Sequence, residues 1–126
     1  MATTGLSPAS IKKDSARLSH HYIIVQRIAE YIHAHYFENM TVTGLCQLAG
    51  VSERTLQYTF RKATGLTVQQ YLMSYRLHRA RALLTGGEVT QVKDAAQARG
   101  FHHAGRFSQY FKKLFGESPS QVLLSL

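Results

Sequence analysis

The chain has 126 residues, within the usual span of one domain: enough to bury a modest core and too few for two large ones. Lys and Arg number 15 against 7 Asp and Glu, a formal charge of +8, which calls for a polyanionic partner, either nucleic acid or an anionic membrane surface. A single cysteine, Cys46, excludes an internal disulfide framework and a Cys-rich zinc site, and a reducing compartment fits that usage.

Met1 to Ser19 is rich in Thr, Ser, Ala, Lys and Gly, with Leu6, Ile11 and Leu18 in no sustained period. Residues 1–19 are therefore expected to form a linker or flexible tail. The stretch also lacks the basic start and apolar run of a secretory signal. No run of about 18 apolar residues follows anywhere in the chain, so a soluble, intracellular protein is expected. From about His21 to Tyr36 the pattern changes, with Ile24, Ile28 and Ile32 recurring every fourth residue beside Val25, Tyr31 and Tyr36. That spacing predicts an amphipathic helix.

Beyond it, short helical segments alternate with Gly50, Gly65, Gly86, Gly87, Gly100 and Gly116. No stretch alternates apolar and polar residues for long enough to make a sheet, so an all-α fold is expected. Thr67 and Gln70 have the spacing of a capping box at the head of a longer helix running from about Val68 to Leu84, with Leu72, Leu77, Ala80, Leu83 and Leu84 on its apolar face. Arg76 interrupts that face. Either it pairs with Asp94 early in the next helix, or its head reaches solvent.

On either side of the long helix lies a similar pair of short helices, an internal duplication about 50 residues apart. In the first copy Cys46 precedes Gly50 by four residues, with Leu56 and Phe60 six and ten beyond the glycine. A helix-turn-helix needs a small residue where its helices cross, a glycine where the backbone turns with positive φ, and apolar anchors on the inner face of its second helix. Those four residues meet the three demands, and Cys46 is read as a small packing residue rather than a nucleophile. Ser52 stands where it would cap the second helix, and Thr41 or Thr43 the first. In the second copy Ala96 precedes Gly100 by the same four residues, while Phe107 and Phe111 follow at seven and eleven, so this turn is one residue longer. Each second helix ends in a basic doublet, Arg61-Lys62 and Lys112-Lys113, suited to phosphate contact.

The stretches LCQLAGVSERTLQYTFRKATG (45–65), YLMSYRLHRARALL (71–84) and VKDAAQARGFHHAGRFSQYFKKLFGESP (92–119) resemble the AraC/XylS family of transcription regulators. The resemblance covers about His21 to Val122, and the wording of the last stretch is similar to a branch that includes ethanolamine-operon-type regulators. It implies about seven helices: a first helix-turn-helix at about 41–64, a linker helix at about 67–85 and a second helix-turn-helix at about 90–115, all within a DNA-binding domain of residues 20–126. Cys46 departs from the usual Ala, His102 replaces a capping Ser, and Val122-Leu123 stands where Tyr-Arg is common. Those last departures bear on the second cap and the final helix.

Carried over residue by residue, the resemblance implies that Glu53, Arg54, Gln57 and Tyr58 face the major groove in the first unit. Arg can grip guanine and Gln adenine bidentately, each worth roughly 1 to 3 kcal/mol of discrimination. The plainer reading of that face is a solvated polar helix surface. In the second unit the corresponding residues are Ala104, Gly105, Arg106, Ser108 and Gln109, a poorer set for reading bases. Ser52, Thr55, Arg61, Lys62, His102, His103, Lys112 and Lys113 would contact phosphate.

Duplex DNA is thus the expected partner, with two helices in successive major grooves about 34 Å apart, and the expected setting is the nucleoid of a bacterial cytoplasm. RNA polymerase is a second partner implied by the family, activation is favoured over repression, and no cofactor is implied. The family's effector-sensing or dimerisation domain has no counterpart in these residues. A metal site is not expected, since His33 and His35 point to different sides of one helix. No Ser-His-Asp, paired-carboxylate or phosphate-loop constellation suggests an enzyme. The alternative from another class is a protein-interaction module that contacts RNA polymerase and has only non-specific affinity for DNA.

Overall fold

The computed structural model of the protein describes residues 8–126, with side chains from residue 20 onward. Among these residues seven helices follow one another and no strand occurs: α1 (Pro8–His35), α2 (Val42–Ala49), α3 (Glu53–Thr64), α4 (Val68–Thr85), α5 (Val92–Ala98), α6 (Ala104–Phe115) and α7 (Pro119–Leu124). None of the described helices is long and apolar enough to cross a membrane.

The first helix begins well ahead of the apolar period at His21. Residues 1–7 of the expected tail lie outside the described residues, whereas 8–19 is helical. Apolar periodicity reports which residues are buried, and this stretch is helical without such a signal. Its composition is nonetheless permissive: Ala9, Lys12, Lys13, Ala16, Arg17 and Leu18 are good helix formers, no glycine or proline interrupts 9–35, and Pro8 suits a first helical position.

Several of the later helices start and stop where side chains or glycines satisfy their end groups. Thr41 Oγ1 accepts the N–H of Gly44 at 3.0 Å ahead of α2, and Ser52 Oγ accepts that of Thr55 at 3.2 Å ahead of α3. At α4, Gln70 N–H donates to Thr67 Oγ1 and Thr67 N–H to Gln70 Oε1, at 3.1 and 3.0 Å, completing the capping box. A second box, Ser118 with Gln121, opens α7 behind Pro119. The final helix therefore forms despite Val122-Leu123, and Val122 is buried in the second core.

Two cores share one helix. Ile24, Ile28, Ile32 and Tyr36 pack with Leu45, Cys46, Leu56 and Phe60, and the N-terminal half of α4 closes this core with Val68, Tyr71, Leu72 and Tyr75. The C-terminal half of α4 gives Leu77, Ala80 and Leu84 to a second core with Ala95, Ala96, Phe101, Phe107 and Phe111. Arg76 falls at the seam. Its Nε–H donates to the carbonyl oxygen of Tyr36 at 2.6 Å and its Nη2 to that of Glu38 at 2.8 Å.

The expected Arg76–Asp94 pair is therefore corrected. Burial pushes the guanidinium below its ordinary pKa, and its partners are main-chain carbonyls of Tyr36 and Glu38 in the turn that follows α1.

Candidate nucleic-acid interface

In α3, Leu56, Thr59 and Phe60 are buried, so the helix turns its other side outward. Gly50 supplies the turn ahead of it with φ 70°, and its N–H returns to the carbonyl of Cys46 at 2.8 Å. Glu53, Arg54, Tyr58, Arg61 and Lys62 are exposed. Tyr58, 57% exposed, lies between the edge of His21 and the Lys62 ammonium, the latter 5.9 Å from its ring centre. Ser52 and Thr55 are tied together, the Ser52 hydroxyl donating to Thr55 Oγ1 at 3.1 Å.

Gln57 departs from the expected groove-facing set. It is half-buried, its Oε1 accepts the N–H of Val68 at 3.0 Å, and its Nε2 donates to Gln69 Oε1 at 2.9 Å. The helix that would read DNA is thereby fastened to the head of α4. The resemblance gives Gln57 to the groove because the donor it accepts from is a backbone N–H at the head of the next helix, invisible in a pattern of side chains.

In α6 the anchors Phe107 and Phe111 are buried, within an aromatic row that also takes in Phe101 and Phe115. Ala104, Gly105, Arg106, Gln109, Lys112 and Lys113 are exposed, and Ser108 is half-buried. His102 and His103 are exposed in the turn, and His103 occupies the cap position without a side-chain hydrogen bond. The cap of α6 thus falls at His103, one residue beyond the position where the resemblance expects a capping Ser, and the first-turn amides of α6 lack the side-chain acceptor that Ser52 gives α3. Around Gly105 a Cβ would meet nothing within 4 Å, so the protein's own packing does not require glycine there.

Among the described residues His35 Nδ1 lies 3.3 Å from Glu38 Oε1, and no Lys or Arg lies within salt-bridge distance of a carboxylate. Arg54, Arg61, Lys62, Arg106, Lys112 and Lys113 have no carboxylate partner there, so the outer faces of both helices carry net positive charge even with Glu53 exposed on α3. Histidines elsewhere serve packing: His33 stacks on Tyr75 and shares a 2.8 Å hydrogen bond with the Tyr71 hydroxyl, while His35 stacks on Tyr31. No group of three His, Cys, Asp or Glu side chains converges among the described residues. Cys46 lies at the α2–α3 crossing, where burial, and then the charge of Glu53, push its thiol up.

Two helix-turn-helix units on one chain, each presenting a cationic second helix outward, define a double helix-turn-helix DNA-binding domain. A helix-turn-helix domain family matches residues 45–124. Among curated proteins, the chain is 37% identical over 102 residues to the probable thc operon regulatory protein of Rhodococcus erythropolis, covering 79% of this chain and 31% of that protein. It is 33% identical over 100 residues to the XylDLEGF operon transcriptional activator 1 of Pseudomonas putida, covering 78% and 30%.

Among solved structures, a probable AraC family transcriptional regulator from Rhodopseudomonas palustris CGA009 aligns with TM-score 0.75 at 32% identity, covering 81% of this chain and 95% of that one. The DNA-binding domain of AdpA, solved in complex with a target DNA, aligns with TM-score 0.75 at 26% identity, covering 80% and 90%. The chain belongs to the AraC/XylS family of helix-turn-helix transcription regulators, not to an enzyme family. It spans about a third of the length of these curated relatives.

Proposed function

We propose that this chain recognises a specific duplex sequence by placing α3 and α6 in successive major grooves, and that it activates transcription in a bacterial cytoplasm. The observation that carries the reading is the pair of equivalent outward faces on a duplicated frame, each ending in a basic doublet without a carboxylate partner among the described residues. Arg54 is the best-placed base reader, with Glu53 and Tyr58 beside it. Arg106 and Gln109 are the readers on α6, where Ala104 and Gly105 admit close approach of the DNA backbone. Arg61, Lys62, Lys112 and Lys113 hold phosphate, as do His102 and His103 at the uncapped start of α6. Activation is supported by the activator named among the relatives.

Because the two faces differ in sequence, one chain prefers a site without two-fold symmetry. Selection from a random duplex pool, followed by titration of the winner against random DNA, tests the reading. The selected site is expected to bind about a thousandfold more tightly than random DNA. Equal affinities would favour the protein-interaction reading instead.

A further inference from the structure

We infer that the junction of Arg76, Gly100 and the end of α1 is a specificity-determining element: it sets where α6 stands relative to α3, and so the spacing of the two base-pair groups a site must present. This rests on the DNA-binding reading above.

A single helix between two units is one attachment and leaves them free to rock. Here a second attachment exists. The turn ahead of α6 is seated on the first unit so closely that a Cβ at Gly100 would lie 3.0 Å from Arg76 Nε, 3.2 Å from the Tyr36 carbonyl oxygen and 3.3 Å from Phe37 Cα. Arg76 holds the same carbonyl, and that of Glu38, from the seam of α4. The neighbouring Arg99 donates to the Tyr36 hydroxyl at 2.7 Å, and the guanidinium groups of Arg99 and Arg79 lie 5.9 and 5.7 Å from the Tyr36 ring centre.

The corresponding turn in the first unit has no such seat. A Cβ at Gly50 would meet nothing within 4 Å, so φ alone accounts for that glycine. Gly100 has both a φ of 95° and neighbours that a Cβ would crowd by a few tenths of an ångström. The close approach is thus particular to the turn that carries α6. One base pair moves a contact along DNA by about 3.4 Å and around it by about a tenth of a turn, so a small change in the angle between the units alters which spacing fits.

Arg76→Met keeps bulk and removes both donors; Arg76→Lys keeps the charge and loses the fork. Each would be titrated on duplexes bearing the two selected half-sites with the spacing changed one base pair at a time. The wild-type chain is expected to lose about tenfold per added base pair, a cost of the size of a mismatch. In Arg76→Met that penalty is expected to fall to about threefold or less, while discrimination against a substituted base within the first half-site is retained. Arg76→Lys is expected to fall between the two.

A DNA-free measurement runs beside it, with paired nitroxide labels at Arg61→Cys and Lys112→Cys in a Cys46→Ala background. The wild-type distance distribution is expected to be narrow and that of Arg76→Met broad. Folded variants, by helical circular dichroism, that keep both the spacing penalty and the narrow distribution would overturn the inference, as would a broad distribution in the wild-type chain. Narrow wild-type distances that broaden in Arg76→Met, without any sequence selectivity in DNA binding, would support the strut and overturn the DNA reading alone. Should Arg76→Met fail to fold, Arg76→Lys is read by the same two criteria.

Discussion

The carboxamide of Gln57 is bound at both ends to the first turn of the linker helix, accepting the N–H of Val68 and donating to Gln69. Gln57→Ala removes both bonds and leaves a helix-end amide without its acceptor. The expected cost is about 1 to 2 kcal/mol of stability by urea denaturation, with base preference unchanged. Wild-type stability together with lost preference at one base pair would return Gln57 to the groove.

Arg54 and Lys62 lie on the same helix with different expected roles, and salt separates them. Arg54→Ala should lose about 1 to 3 kcal/mol on the selected site and relax preference at one base pair, with little effect on random DNA. Lys62→Ala should weaken both and reduce the slope of log affinity against log salt, near −5 for about six neutralised phosphates, by about one. Equal losses on both DNAs for Arg54→Ala would place Arg54 on the backbone.

Gly105 lies in a helix with open space where a side chain would sit. Gly105→Ala is therefore expected to raise stability by about 0.5 to 1 kcal/mol while weakening binding to the selected site. A variant both more stable and fully competent to bind would show that DNA does not approach this backbone closely.

Burial and the nearby charge of Glu53 raise the pKa of the Cys46 thiol, so iodoacetamide should modify it more slowly than free cysteine at pH 8, since the thiolate is the nucleophile. The folded chain holds this proton more tightly than the unfolded one. Its contribution to stability is therefore complete below the ordinary thiol pKa of about 8.5 and is lost as pH rises through the folded value. Cys46→Ala should remove that alkaline component, and alkylation as fast as that of free cysteine would contradict the burial.

Local steric demands were the legible part of this protein. The spacing of Cys46, Gly50, Leu56 and Phe60, repeated at Ala96, Gly100, Phe107 and Phe111, places both turns and both inner faces, because a crossing, a positive φ and a helical period all act within a few residues. The outward placement of Arg54, Tyr58, Arg61 and Lys62 follows from the same period. What escaped were side chains whose partners are main-chain groups. Arg76 suggests an acidic partner, yet its acceptors are carbonyls at the end of α1, and Gln57 resembles a base reader although it holds an amide of α4. A peptide group has no letter in the sequence. The helix over 8–19 escaped for another reason: it shows no periodic apolar face, the signal by which helices are usually recognised.

The linker helix gives Val68, Tyr71, Leu72 and Tyr75 to one core and Leu77, Ala80 and Leu84 to the other. Cutting the chain anywhere along it would deprive at least one core of part of its wall. The two repeats therefore resemble each other as reading heads but not as autonomous folding units. A substitution that strengthens either core also steadies the helix the other leans on, and the domain is built to melt as one cooperative body, even though the surfaces it offers are separate.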